Sequence, residues 1–240
     1  MTYIRSLRAL ASLRPVTMTV TTVPSTHPIA QRGPLSQTNN AQIHQLSDQY
    51  QRREAHIPKS SSEDEPLFVL TLLTDNGHQQ TMTALRRQWF PPDILKVDAH
   101  VTLFHALPGS KLVELKQDIA DLAARIEKFQ IAVGVKGVFD MGKGVGIRCS
   151  NIGDFKSKAS SLRSELRDKW EPFLSKQDKQ EMWRGHYTIM NKQNDKEEVQ
   201  KCLAYLREGH ANSKGTVEGL TLWRYDRGWW KEDEVFEFSG

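Results

Sequence analysis

The chain has 240 residues, 38% hydrophobic and 26% charged, with a formal net charge of +4 and a pI near 9.0. That length supports one good-sized globular domain or two small intimate lobes, and no run approaches the roughly 18–20 apolar residues of a membrane span. Two cysteines, Cys149 and Cys202, are too few for a disulfide framework and lack metal-ligand spacing, so reducing, intracellular surroundings are the default.

The charge is unevenly spread. Residues 1–64 carry a net +3 and residues 65–240 a net +1. The folded part therefore offers no broad basic face for nucleic acid and favours a small or local phosphate target. Residues 1–17 hold Arg5, Arg8 and Arg14, and the first acidic residue is Asp48. An Arg-rich, acid-free start is like a mitochondrial transit segment, although a helix drawn through it separates its two faces poorly. The expectation is a disordered or targeting extension over 1–64, in a cytoplasmic or mitochondrial protein. Within it, residues 18–42 read as disordered, 40–56 as a short helix and 60–66 as a linker.

The domain is expected over 65–240. The run from Leu67, LFVLTLLT, is apolar on both faces and reads as a central strand. Asn76-Gly77 reads as a turn, 78–90 as a helix stopped by Pro91-Pro92, and 99–106 as a strand. The apolar spacing over 110–129 predicts an amphipathic helix. Strands at 130–139 and 144–150 follow, joined by Met141-Gly142-Lys143-Gly144, a hairpin turn rather than a phosphate loop because no helix pattern starts after it. A helix over 154–171, a strand over 183–190, a helix over 195–208 and strands at 214–225 and 233–238 complete the order.

Two of these strands carry the same pattern: His100-Val101-Thr102-Leu103 and, 86 residues later, His186-Tyr187-Thr188-Ile189. Positions i and i+2 of a strand share a face. His100 points with Thr102 and His186 with Thr188, while Val101, Leu103, Tyr187 and Ile189 turn to the core. Two imidazoles and two hydroxyls in one cleft are what a phosphodiester needs without a metal: one His takes a proton, the other gives one, and the hydroxyls hold the non-bridging oxygens. A second anchor repeats as well. Val135-Lys136-Gly137-Val138 follows the first motif and Val217-Glu218-Gly219-Leu220 the second, with His-to-Gly spacings of 37 and 33. Motif strand, helix, V-x-G strand and a further strand occur twice, which is an internal repeat.

Two such motifs, one per half of a duplicated α+β domain, resemble the 2H phosphoesterase superfamily, which includes the 2′-5′ RNA ligase and cyclic phosphodiesterase enzymes. The likeness covers roughly residues 67–238, and the run Trp183 to Lys192 looks like the second family motif with Gly185 where a proline is common. The resemblance implies a bilobal duplicated fold, two antiparallel sheets forming a concave cleft with helices outside. It also implies metal-independent hydrolysis of 2′,3′-cyclic phosphates or related phosphodiesters on RNA ends or small nucleotides. By position, His100 and His186 are the acid–base pair and Thr102 and Thr188 the phosphate-positioning hydroxyls.

Three further residues are candidates for substrate binding. Arg184 shares the face of His186 if the strand already runs there. Trp223 and Tyr225 alternate with Leu220 and Leu222, so they could stack a nucleobase or pack an edge. Asp98 stands to His100 as Arg184 does to His186, but reads as a loop carboxylate. Trp229-Trp230 read as packing under a turn, and His105 and His210 have no partner pattern. No HExxH run and no Cys/His pairs occur, so neither a metal nor a cofactor is expected. The expected partner is an RNA terminus or small cyclic nucleotide, with no membrane, bound by a monomer. A non-catalytic RNA-end or nucleotide-binding module of the same fold is the alternative, and a scaffold acting through its N-terminal tail is a third reading.

Overall fold

Helix start and stop signals and strand alternation account for most elements. A computed structural model describes residues 57–59, 65–150 and 157–240, apart from the side chains of 232 and 233. The features expected before residue 57 lie outside the described residues. Strand β1 (Leu67–Thr74) leads into helix α1 (Asn76–Trp89). The expected turn at Asn76-Gly77 is instead the first turn of α1, because the Asp75 carboxylate caps it by accepting from His78 N–H (3.0 Å). Strand β2 (Thr102–Pro108) and helix α2 (Leu112–Ala123) follow. Strands β3 (Phe129–Asp140) and β4 (Val145–Cys149) form a hairpin in which Met141 N–H donates to the Gly144 carbonyl (2.9 Å). Helix α3 (Lys158–Trp170) is capped by the Ser157 hydroxyl. Strand β5 (His186–Met190), helix α4 (Lys196–Tyr205), and strands β6 (Ser213–Asp226) and β7 (Trp229–Glu237) end the chain. Among the described residues no helix is long and apolar enough to cross a membrane.

The order of elements repeats. Helix, motif strand, helix, strand and hairpin strand run as α1-β2-α2-β3-β4 and again as α3-β5-α4-β6-β7. All strand pairings are antiparallel, in the order β2-β1-β6-β3-β4-β5 with β7 also on β6. The two antiparallel sheets expected are joined into one. Residues 129–133 of β3 pair with 213–217 of the long strand β6, so one hydrogen-bonded network runs through all seven strands.

The V-x-G repeat has a packing cause. A Cβ on Gly137 would stand 2.4 Å from the Arg148 carbonyl of β4, and one on Gly219 would stand 2.3 Å from the Phe236 carbonyl of β7. Each glycine lets the next hairpin strand close in, at the same place in both halves.

The helices then tie the halves together crosswise. Arg86 of α1 donates from Nε to the Val97 carbonyl (3.0 Å) and from Nη1 to the Thr188 carbonyl of β5. Arg163 of α3 donates to the Leu103 carbonyl of β2 (3.1 Å), the Gln180 carbonyl (3.0 Å) and the Asp178 carbonyl (2.9 Å). Each half's leading helix thus braces the other half's motif strand through a buried guanidinium. Upstream of β1, Pro58 is buried and Lys59 N–H donates to the Phe173 carbonyl (3.2 Å), so residues just before the expected linker pack on the domain.

Candidate active site

The two motif strands meet edge to edge. Val101 and Tyr187 form an isolated antiparallel bridge, and with Leu103 and Ile189 they are buried in the core at 1% exposure or less. Strand parity then sends His100, Thr102, His186 and Thr188 to the opposite side, where all four are half-buried and line one cleft of about 780 Å³. Strand β2 itself begins only at Thr102, so His100 stands just before it.

The histidines are held alike. His100 Nδ1 lies 2.7 Å from the Asp98 carbonyl and His186 Nδ1 lies 2.9 Å from the Arg184 carbonyl, each two residues upstream. A carbonyl only accepts, so Nδ1 carries the proton in both rings and Nε2 is the nitrogen available for chemistry. The orienting group beside His100 is thus the backbone of Asp98; its carboxylate pairs instead with Arg87 (2.9 Å).

Both imidazoles are pushed below their ordinary value of 6.5. For His100, burial and then the Arg86 charge lower it to about 3; for His186 burial is the first cause, with His105 and Arg148 adding to it.

Aromatic and cationic neighbours complete the walls. Arg148 is directly opposite His186 in the β4–β5 register and lies 4.6 Å over the Phe139 ring, whose edge meets His186 with centroids 5.6 Å apart. On the other side, Trp230 lies 4.2 Å from the His100 ring. The β6–β7 loop has only two residues, Arg227 and Gly228, both at positive φ, so β7 begins at Trp229 and Trp229-Trp230 are strand residues rather than packing under a turn. Trp230 pairs with Tyr225, and cross-strand partners share a face. That rule, applied to a tight hairpin, was the signal that could have placed Trp230 in the cleft.

Of the three expected substrate-binding residues, Arg184 and Tyr225 line the cleft with the motif residues. Trp223 does not. Its indole N–H donates to Thr71 Oγ1 (3.0 Å), and it borders a neighbouring depression beyond Trp230. His105, for which the sequence shows no partner pattern, lines the cleft and lies 3.2 Å from the buried Asp178 carboxylate. Among the described residues no group of three or more His, Cys, Asp or Glu stands close enough to hold a metal ion.

The family model of the 2′-5′ RNA ligase superfamily matches residues 74–229, more than half of the chain and both motifs. The chain belongs to the 2′-5′ RNA ligase superfamily. In structure it is similar to TT0787 of Thermus thermophilus, with a TM-score of 0.50 and 15% identity over 72% of this chain and 100% of that one. E. coli LigT in its apo form gives 0.45 at 14% identity over 72% of this chain and 98% of that one. The same protein complexed with 3′-AMP gives 0.42 at 14%, over 72% and 98%. At 15% identity the likeness to TT0787 is one of fold. No protein of curated function matches the sequence.

In this 2′-5′ RNA ligase superfamily member the cleft presents two imidazole Nε2 atoms, two threonine hydroxyls and the Arg148 and Arg184 guanidiniums. A neutral imidazole accepts a proton there and a charged one donates it, while hydroxyls and guanidiniums hold an anion.

Proposed function

We propose that the protein is a metal-independent phosphodiesterase that opens 2′,3′-cyclic phosphates or related phosphodiesters on RNA ends or small nucleotides. The observation that carries this is the matched pair of Nδ1–carbonyl hydrogen bonds, which leaves two Nε2 atoms on one cleft beside two hydroxyls. One imidazole takes the proton of an attacking water. The other protonates the departing ribose oxygen as the bond to phosphorus breaks. Thr102 and Thr188 hold the non-bridging oxygens, with Arg148 neutralising the anion. Arg184 and Tyr225 take the rest of the nucleotide at the rim.

The test is to incubate the full chain with the nucleoside 2′,3′-cyclic monophosphates in EDTA and follow products by phosphorus NMR, beside His100→Ala and His186→Ala. Each variant is expected to lose about 10²–10⁴ of turnover, the worth of one acid or base, with its unfolding midpoint little changed. Normal turnover in His186→Ala would sink the assignment. Tight binding with no turnover on any cyclic phosphate would replace it with a binding module.

A further inference from the structure

The cleft holds a third imidazole that this reaction does not use. Plain alternation from Thr102 would put Phe104 in the cleft and His105 in the core. The opposite is found: Phe104 is 0% exposed and His105 faces the cleft. The cause lies in the β1–β2 pairing. The register runs Thr71 to Thr102, Leu70 to Phe104, then Phe68 to Leu107, with a slip on each side of Phe104. These two irregularities turn Phe104 inward, against Trp170 (centroids 5.1 Å apart), and His105 outward. Bulges re-aim side chains in this way beside functional clefts.

His105 is held from behind by a carboxylate built for the purpose. Asp178 is 1% exposed, and its oxygens accept from His105 N–H (2.9 Å), Ala106 N–H (3.1 Å) and the Ser175 hydroxyl (3.0 Å). His105 Nδ1 adds a fourth contact at 3.2 Å. Nδ1 faces both Asp178 and Gln177 Nε2 (3.3 Å), and Nε2 is the ring nitrogen on the side away from them. Arg163 donates to the Asp178 backbone carbonyl (2.9 Å), and the Asp178 charge also acts on its guanidinium. Among the described lining residues Asp178 is the one carboxylate, set against Arg148, Arg163 and Arg184, so the cleft is positive overall.

We infer that His105, anchored by Asp178, is a second phosphate subsite, and that the preferred substrates carry a further phosphate beside the phosphodiester that reacts at His100 and His186. The inference rests on the reaction proposed above. A nucleoside 2′,3′-cyclic phosphate bearing a 5′-phosphate or 5′-diphosphate has this chemistry. Thr102 and His105 are at most about 10 Å of strand apart, a gap that one ribose and its 5′ substituent bridge between the two side chains. A phosphate oxygen at Nε2, with Asp178 at Nδ1, makes both ring nitrogens donors. That is the charged imidazolium, and the bond to phosphate is charge-assisted.

The experiment compares adenosine 2′,3′-cyclic phosphate with and without a 5′-phosphate, measuring kcat/KM and, by calorimetry, Kd. It uses the full-length protein, His105→Gln and His105→Lys. The natural protein is expected to favour the 5′-phosphorylated nucleotide by about tenfold or more, the worth of one charge-assisted hydrogen bond. The ratio should fall toward one in His105→Gln and persist in His105→Lys, which restores a cation. Equal use of the two nucleotides by the natural protein, or an unchanged ratio in His105→Gln, overturns the subsite and leaves the reaction standing. If neither nucleotide is turned over, the reaction reading fails, and the ratio of the two Kd values decides the subsite by itself.

Discussion

Each motif histidine has its tautomer set by a carbonyl two residues upstream, and that bond has a consequence for pH. In the free protein both imidazoles lie below 6.5, His100 at about 3. In the proposed reaction the working form has one ring protonated and one neutral, so it is lost as pH rises through the pKa of His186. On the acid side the second proton reaches His100 only near 3. We therefore expect kcat/KM to be greatest below pH 6.5 and to decline toward about pH 8. A bound phosphate anion favours the imidazolium, so the basic limb of kcat should lie at higher pH than that of kcat/KM. A kcat/KM profile that is level or rising from about pH 6 to 8 would contradict two neutral imidazoles. At this scale the four motif residues were legible, because a strand's period of two is a local rule. His105 was not: its orientation depends on register slips against β1, which leave no mark in β2's own sequence.

At the scale of elements, the two halves hold each other through buried arginines and close hairpins. Arg86→Leu strips a donor from the Val97 and Thr188 carbonyls, and Arg163→Leu strips donors from three. At about 1–3 kcal/mol per orphaned carbonyl, urea unfolding should show both variants clearly destabilised, Arg163→Leu the more so. Equal or negligible losses would mean that water replaces the guanidinium. Gly137→Ala and Gly219→Ala each push a methyl into a neighbouring strand's carbonyl. Each should cost about 1–3 kcal/mol, the usual range for overpacking, and the matched positions should give similar losses. The glycines were legible as a repeat, but their role was not, since the carbonyl each one admits belongs to a different strand. The arginines carried no pattern at all, because their acceptors lie across the helix-to-strand crossing.

For the whole molecule, three buried or half-buried imidazoles, His78, His100 and His186, are all held below 6.5. The unfolded chain takes up their protons from about pH 6.5 downward while the folded protein does not. Stability from this source is complete above about pH 6.5 and is lost as pH falls. We expect Tm to drop between about pH 7.5 and pH 5, and the drop to shrink in His78→Leu, since His78 is 2% exposed and contributes through burial. A Tm that is constant or rises over that interval would contradict the assignment.

The sequence alone determined that this is an α+β protein with a duplicated His-x-Thr unit. It also set which face of each motif strand meets the core, and that the folded part carries almost no net charge. These follow from short-range periodicity and counting, which the chain carries wherever it is placed. Only the tertiary structure decided that Val101 and Tyr187 join the two motifs. It alone also decided that Trp230 rather than Trp223 stands at His100, and that Asp178 supports a third imidazole. Those contacts arise from loop length, strand register and helix crossing. The Val101–Tyr187 and His105–Asp178 contacts join residues far apart in the chain, beyond the reach of any local rule, while the side of the sheet that Trp230 takes follows from the two-residue turn that sets the β6–β7 register.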